Sequence, residues 1–151
     1  MIRTLTPLFT ALLLAAAPMV HAAPLAEAAA PAADSAQVKV VYHVNDASVA
    51  RAAMNNINNE LNASPNDKIV LVAHGKGIDF LLNDAKDDKG EYAPVVSGLK
   101  AKGVDFRVCA NTLKARKLDA SAVNMEATIV PSGVAEIGKL QAQEGYVYLK
   151  P

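Results

Sequence analysis

The stretch VKVVYHV, residues 38–44, decides the fold. It is rich in valine and nearly all apolar, which is typical of a strand that is buried on both faces of a parallel sheet. Asn45 and Asp46 follow, and residues of this kind commonly start helices. Beyond them, four apolar residues recur at every fourth position and mark one face of an amphipathic helix: Val49, Ala53, Ile57 and Leu61.

The alternation of strand and helix continues to the end of the chain. Further strands are predicted at residues 68–73, 104–109, 127–130 and 146–149. Helices are predicted at residues 94–102 and 111–118, and a last helix opens at Pro131 and Ser132 and ends at Gly145. This order predicts an α/β fold with a mainly parallel sheet of five strands and helices on both faces.

Two segments between these elements are less regular. Residues 78–82 fit either a strand extension or a short helix. The segment NDAKDDKGE, residues 83–91, is charged and poor in apolar side chains. We expect it to be a mobile loop.

The N-terminus has the features of a secretory signal peptide. Arg3 provides a positive charge, residues 8–20 form a short apolar run, and a VHA motif of the signal-peptidase type ends at Ala22. An uncleaved anchor helix is the alternative, but the run is shorter than the roughly 20 apolar residues that span a bilayer. We therefore predict a signal peptide over residues 1–22, with cleavage after Ala22.

The segment that follows, residues 23–36, consists mostly of alanine and proline. It cannot bury enough apolar surface to offset the entropy of ordering it, so we predict a flexible linker. The folded domain is then residues 37–151. The mature protein is expected to be periplasmic or secreted, with no membrane association after cleavage.

Charge and composition exclude one class of partner. The chain has 15 basic and 15 acidic residues, no tryptophan and no basic block. Nucleic-acid binding therefore has no electrostatic basis in this sequence.

Candidate site residues come from the strand ends, because open parallel sheets bind ligands beyond the carboxyl ends of their strands. Both histidines of the predicted domain and its single cysteine lie there. The candidates are Cys109 as the reactive group and His43, Asp46, His74, Gly75, Asn111 and Thr112 as pocket residues. Pro131, Ser132 and Gly133 also follow a predicted strand.

Cys109 is the candidate with the clearest chemistry. At a junction from strand to helix, backbone N–H groups and the helix dipole stabilise a thiolate. Such a thiolate can attack a sulfane sulfur and hold it as a persulfide. A small, buried and inert cysteine is the alternative, since free cysteine is among the most buried residue types. A single cysteine in an exported protein also suggests intermolecular pairing or a reactive thiol.

The other candidates have structural alternatives as well. His74 in the HGKG turn is either an acid, base or ligand beside Cys109, or a turn residue next to glycines. His43 is either functional or a half-buried strand residue, and Asp46 fits a helix cap better than a base. The donor residues come from separate loops without ligand spacing, so neither a metal nor an organic cofactor is expected.

The sequence resembles the DsrE/DsrF-like family of sulfur-relay and intracellular sulfur-oxidation proteins over residues 39–149. The most specific matching segments are VDFRVCANTLKARKLD, residues 104–119, and ATIVPSGVAEIGKLQAQEGYVYLKP, residues 127–151. The resemblance implies a three-layer α/β/α sandwich, assembly into homo-oligomers, and a sulfur-carrying cysteine at the position of Cys109. The predicted signal peptide is a departure, because the sulfur-relay members work in the cytoplasm.

Three hypotheses follow from these observations. In the first, the protein is an exported sulfur-handling protein in which Cys109 accepts sulfane sulfur as a persulfide and passes it to a partner thiol; this makes it a possible sulfurtransferase or sulfur carrier. In the second, the loops around His43, His74 and Cys109 bind a small ligand without chemistry. In the third, the protein is an oligomeric interaction module in which Cys109 is buried.

Overall fold

A computed structural model describes residues 37–151. The predicted signal peptide (residues 1–22) and linker (residues 23–36) lie outside the described residues. The strands are β1 (Lys39–Val44), β2 (Lys68–Ala73), β3 (Lys86–Asp87), β4 (Gly90–Glu91), β5 (Asp105–Cys109), β6 (Ala127–Val130) and β7 (Val147–Leu149). The α-helices are α1 (Ala50–Ala63), α2 (Ala93–Ala101), α3 (Ala110–Ala115) and α4 (Gly133–Glu144).

Five of these strands form one sheet in the order β6-β5-β2-β1-β7. Every pairing in it is parallel, so the predicted five-stranded α/β sheet is confirmed and contains no antiparallel member. The chain starts near the centre of the sheet, builds outward to β6 and then returns to the opposite edge as β7. All strands therefore end at the same side of the domain, where parallel sheets carry their sites.

The two faces of the sheet are covered unequally. The larger apolar core lies under α1 and α2 and includes Ile57 and Phe106. The opposite core is small and is formed by α4 against β1 and β2. Its buried members are Val41, Val70, Val72, Ile137 and Leu140. The fold is the predicted three-layer sandwich, with one thin outer layer.

The charged segment 83–91 is not the loop expected there, because it carries the small antiparallel hairpin β3–β4. Arg51 of α1 donates from Nε and Nη2 to the two carboxylate oxygens of Asp87, at 3.0 and 2.9 Å. The guanidinium also lies 4.2 Å from the ring centre of Tyr92. These hydrogen bonds to Arg51 are the main cause that lowers the pKa of Asp87 to about 2. The segment is therefore held by Arg51, which is 36 residues away from Asp87 in the sequence. Its local composition alone does not predict this.

The remaining differences concern the ends of elements. The sequence left two alternatives for residues 78–82, a strand extension or a short helix. In the structure they belong largely to a 3₁₀-helix, Gly75–Leu81. α3 ends at Ala115, earlier than the predicted 118, and Lys117 has a positive φ of 55°. Gly145 ends α4 in the left-handed conformation, as predicted from the sequence.

A search for membrane-spanning helices among residues 37–151 finds no helix with sufficient length and apolar character.

Gly77 fixes how closely the segment after β2 approaches the end of β1. A β-carbon at this position would lie 2.1 Å from the carbonyl oxygen of Val44. No L side chain fits at that distance without moving the backbone of one of the two strand ends. The first turn of the Gly75–Leu81 helix therefore depends on the absence of a side chain here.

We expect Gly77→Ala to lower the free energy of unfolding by about 1–3 kcal/mol, the usual cost of overpacking. Gly138→Ala is the matched control, because its β-carbon meets nothing within 4 Å and alanine in a helix interior is favoured by roughly 0.5–1 kcal/mol over glycine. Urea unfolding followed by circular dichroism measures both. Equal stability of the two variants would contradict this account of Gly77.

Candidate functional site

Four side chains form a row across the carboxyl end of the sheet, on the face that α4 covers. In strand order they are Cys109 of β5, His74 directly after β2, His43 of β1 and Tyr148 of β7. The registers place these four side chains on one face of the sheet, because alternate residues of a strand share a face. Val41 lies two residues before His43 on β1, and Val72 lies two residues before His74 on β2. Both valines pack against α4. Tyr148 pairs with Val41 and so lies on the same face.

Cys109 is the last residue of β5 and directly precedes α3. Only 5% of its surface is exposed, yet it forms part of the wall of a cavity. Burial raises the pKa of the Cys109 thiol, but hydrogen bonds from the Gly133 N–H, the Thr112 hydroxyl, and the N–H groups of Thr112 and Asn111 together outweigh it, so the net pKa is lowered. The arrangement is a set of donors around a thiolate.

Thr112 connects this thiol to the loop after β2. Its Oγ1 accepts a hydrogen bond from the N–H of Gly75 at 3.0 Å, which leaves the hydroxyl hydrogen free to donate to the Cys109 sulfur. Gly75 adopts a positive φ of 58°, a conformation that favours glycine. The glycine thus has a specific role, since it turns the backbone N–H toward Thr112.

Gly133 brings the start of α4 onto the same thiol. A β-carbon at Gly133 would lie 3.2 Å from the β-carbon of Cys109 and 3.3 Å from that of His74. Ser132 caps the helix, with Oγ accepting from the N–H of Ala135 at 3.4 Å. A helix N-terminus packed this closely against a thiol stabilises its anionic form.

The cavity beside Cys109 has a volume of about 860 Å³. Its wall includes both charged and apolar residues, with Lys76 among the former and the exposed Val134 among the latter. Arg116 also lines it and forms an ion pair with Asp79. The space exceeds what a single sulfur atom requires, so a larger donor molecule or a segment of a partner can enter.

The two histidines are in direct contact. Nε2 of His43 lies 2.6 Å from Nε2 of His74, and Nδ1 of His43 lies 2.6 Å from the hydroxyl of Tyr148. The rings of His43 and His74 are stacked, with centroids 4.7 Å apart. Burial is the main cause that lowers the pKa of both histidines, and the positive charge of Lys150 lowers both further. Both effects favour the uncharged form of the two rings.

The structure places most of the predicted site residues together. The cavity wall contains Cys109, His74, Gly75, Asn111 and Thr112. His43 is not part of the wall but touches it through His74. Asp46 lies elsewhere: its carboxylate accepts the N–H of Ser48 at 2.9 Å and caps a short 3₁₀-helix, Ala47–Val49. Hydrogen bonds from Ser48 lower the pKa of Asp46, which suits a cap.

Sequence reasoning missed Tyr148 and did not predict the contact that Gly133 makes. Tyr148 is 105 residues from His43, and nothing local indicates that the last strand returns beside the first. Gly133 follows a predicted strand end, but its contact with Cys109 depends on the tilt of α4 against the sheet. Within residues 37–151, no group of three or more histidine, cysteine or acidic residues has a geometry that could hold a metal ion.

Comparison with known proteins identifies relatives of this fold. The model of the DsrE/DsrF-like family matches residues 25–151, which begins within the segment predicted to be a linker. A solved structure of a protein of unknown function, MTH1491 from Methanobacterium thermoautotrophicum, is 31% identical, with a TM-score of 0.69, over 76% of this chain and 100% of that one. The ychN protein from E. coli shares the fold at 12% identity, with a TM-score of 0.62, over 77% of this chain and 100% of that one. No curated protein sequence matches significantly.

We expect Thr112→Val to raise the pKa of the Cys109 thiol, because it removes the hydroxyl that donates to the sulfur. A hydrogen bond to a charged group contributes about 1.5–3 kcal/mol, so the thiolate population below the midpoint falls roughly tenfold or more. The pH dependence of alkylation by iodoacetamide gives the midpoint. Thr128→Val makes the same chemical change at an exposed position of β6 and should leave the midpoint unchanged. A common midpoint for both variants would remove Thr112 from the site.

Proposed function

The chain belongs to the DsrE/DsrF-like family, and from this premise we propose that it is a sulfur-handling protein, in which Cys109 accepts sulfane sulfur as a persulfide and passes it to a partner thiol. The thiolate acts first as nucleophile and then as carrier. No metal or organic cofactor takes part in this proposal.

The observation that carries the proposal is the set of donors around the Cys109 sulfur. The N–H groups of Gly133, Thr112 and Asn111 and the hydroxyl of Thr112 together lower the pKa of this thiol, and a β-carbon at Gly133 would lie 3.2 Å from that of Cys109, which places the start of α4 directly beside it. An inert core cysteine needs none of them, because a neutral thiol is a weak hydrogen-bond acceptor. The thiolate and the persulfide anion both need such donors. The donors therefore suit both states of a sulfur carrier.

The cavity supports the transfer step. Its volume of about 860 Å³ accommodates a donor larger than free sulfide, while Cys109 itself stays 5% exposed. A persulfide formed there is shielded from bulk reductants and oxidants. The exposed Val134 belongs to the cavity wall, and Met125 is 93% exposed on the same domain. Such side chains suit contact with a donor or acceptor protein, or with further copies of this chain.

Localisation completes the proposal. We infer from the N-terminal sequence that the mature protein acts in the periplasm or outside the cell. In an oxidising compartment a shielded single thiol avoids pairing with other thiols. The sulfur donor and acceptor are then exported molecules as well.

A second candidate function is the binding of a small ligand without chemistry. The observation that favours it is the size of the cavity together with the ammonium of Lys76 in its wall. An anionic metabolite fits that chemistry. Binding of this kind does not depend on the Cys109 sulfur.

We expect the native protein to gain the mass of one sulfur atom on incubation with polysulfide, and to lose it again with cyanide or a reductant. Intact-mass spectrometry measures the gain. Cys109→Ser and protein alkylated beforehand should show none, while circular dichroism of the serine variant stays that of a folded domain.

A different pattern would favour the other functions. If no sulfur is gained and Cys109 resists alkylation until denaturant is added, the thiol is core packing. A thermal shift with anionic metabolites that persists in Cys109→Ser would then identify the binding function. Absence of both responses would favour the oligomeric interaction module.

A further inference from the structure

Cys109 is one end of the row of four side chains at the carboxyl edge of the sheet. His74 lies between it and His43, and Tyr148 lies beyond His43 at the edge strand. Cys109 and His74 are parts of the same cavity wall, and both of their β-carbons approach the site of the missing Gly133 side chain within 3.3 Å. Contacts therefore connect His74 to the edge of the sheet, and the shared cavity wall places Cys109 beside the inner end of this row.

The short contact between the Nε2 atoms of His43 and His74 limits where the ring protons of the two histidines can lie. At 2.6 Å one of these nitrogens carries the proton and the other accepts it. Two neutral arrangements satisfy the contacts of His43. In one, Tyr148 donates to Nδ1 of His43, Nε2 of His43 donates to His74, and His74 carries its proton on Nδ1. In the other, Nδ1 of His43 donates to the oxygen of Tyr148, which keeps its own proton, Nε2 of His74 donates to Nε2 of His43, and Nδ1 of His74 is bare.

We propose that Tyr148, His43 and His74 form a proton relay in which His74 protonates the departing thiol of the sulfur donor while Cys109 is loaded. This inference rests on the proposed function, and it deepens it by assigning the acid of the transfer step. It also specifies the donor class, since only a persulfide of an alkyl thiol has a leaving group basic enough to need that proton.

The step balances without any oxidant or reductant. The Cys109 thiolate attacks the terminal sulfur of a donor persulfide, R–S–SH, and forms a new sulfur–sulfur bond. The bond between that sulfur and the donor sulfur breaks, and its electron pair leaves with the donor as a thiolate. The proton on Nδ1 of His74 converts this thiolate to the free thiol, R–SH. The new Cys109–S–SH group then loses its own proton to His74 and remains as the persulfide anion.

The second histidine solves a difficulty that one histidine would have. An uncharged imidazole is a poor acid, because losing its only N–H proton would leave an anionic ring. In the relay, His74 receives the Nε2 proton of His43 as it gives up the Nδ1 proton, so neither ring becomes an anion. Tyr148 replaces the proton of His43 in the same way and takes a proton from water in its turn, since it is 38% exposed at the edge strand. When the proton of Cys109–S–SH later enters at Nδ1 of His74, the row returns that proton to water.

The charges around the pair are compatible with this role. The titratable and charged groups nearby are Cys109 from β5, Lys76 from the Gly75–Leu81 helix, and Tyr148 and Lys150 from the last strand and its end. Burial and, less strongly, the charge of Lys150 disfavour an imidazolium and thereby favour the neutral pair. A neutral pair next to a thiolate moves protons by exchanging tautomers.

The test compares two reactions of Cys109 in the full domain. The first is sulfur loading from glutathione persulfide, whose leaving group is a basic alkyl thiolate. The second is reaction with Ellman's reagent, whose aromatic thiolate leaves without a proton. We expect His74→Gln to slow the first reaction by about 100-fold, in the range of general acid catalysis, and to leave the second within about twofold. Tyr148→Phe breaks only the end of the relay, so it should slow loading several-fold.

Tyr146→Phe is the matched control, because it removes a tyrosine hydroxyl two positions away that does not contact either histidine. His43→Gln should fall between Tyr148→Phe and His74→Gln. The loaded end point, measured by intact mass, should be the same in all variants. If His74→Gln fails to fold, Tyr148→Phe at the half-exposed edge strand still decides the question.

Three results would overturn the relay. Equal slowing of both reactions by His74→Gln would show an effect on the thiol itself. Loading rates of Tyr148→Phe and His43→Gln that equal those of Tyr146→Phe would show that no proton passes along the row. If the wild-type protein never gains sulfur, the proposed function fails and the relay with it, and this outcome is distinct from normal loading without dependence on His74.

Discussion

The contact between the start of α4 and the carboxyl edge of the sheet is the constraint on which the site depends. Gly133 lies so close to the β-carbons of Cys109 and His74 that a side chain at this position would force its neighbours to move by a few tenths of an ångström. This approach directs the Gly133 N–H at the Cys109 sulfur. A displacement of the helix by about one ångström would break that hydrogen bond and leave a buried thiol whose pKa is raised by desolvation alone.

A half-buried ionic cluster holds the helix in this position. Arg107 of β5 donates to Asp105 of its own strand at 2.7 and 2.9 Å and to Glu136 in the first turn of α4. Arg107 lies two residues before Cys109 on the same strand and face, and Glu136 lies three residues after Gly133. The cluster therefore joins the strand that carries the thiol to the helix that stabilises it. Because the apolar core on this face is small, the ion pair is a substantial part of what orients α4.

The same sparse packing explains why the histidines are available. On the face of α1 and α2, the strands are covered by a large apolar core. On the face of α4 there is one helix for five strands, and the ends of β1 and β7 are left for polar side chains. His43 and Tyr148 occupy that space and bond to each other. The unequal layers thus leave room for a row of polar side chains. Among the described residues, no buried side-chain nitrogen or oxygen lacks a hydrogen-bond partner.

These features separate what the sequence could predict from what it could not. Strands that are buried on both faces are visible as continuous apolar runs, and the strand ends follow from them, so the positions of Cys109 and His74 at one edge were predictable. Strand order is not encoded in local periodicity, so the return of β7 beside β1, and with it the partner of His43, was not. Asp46 was a pocket candidate for which a helix cap was the better fit, and the structure shows the cap. The tilt of α4 against the sheet is set by tertiary packing. It decides whether Cys109 is an inert buried thiol or one whose thiolate is stabilised. A lone cysteine in a sequence therefore remains ambiguous until the donors around its sulfur are known, and here those donors come from two separate segments of the chain, the starts of α3 and α4.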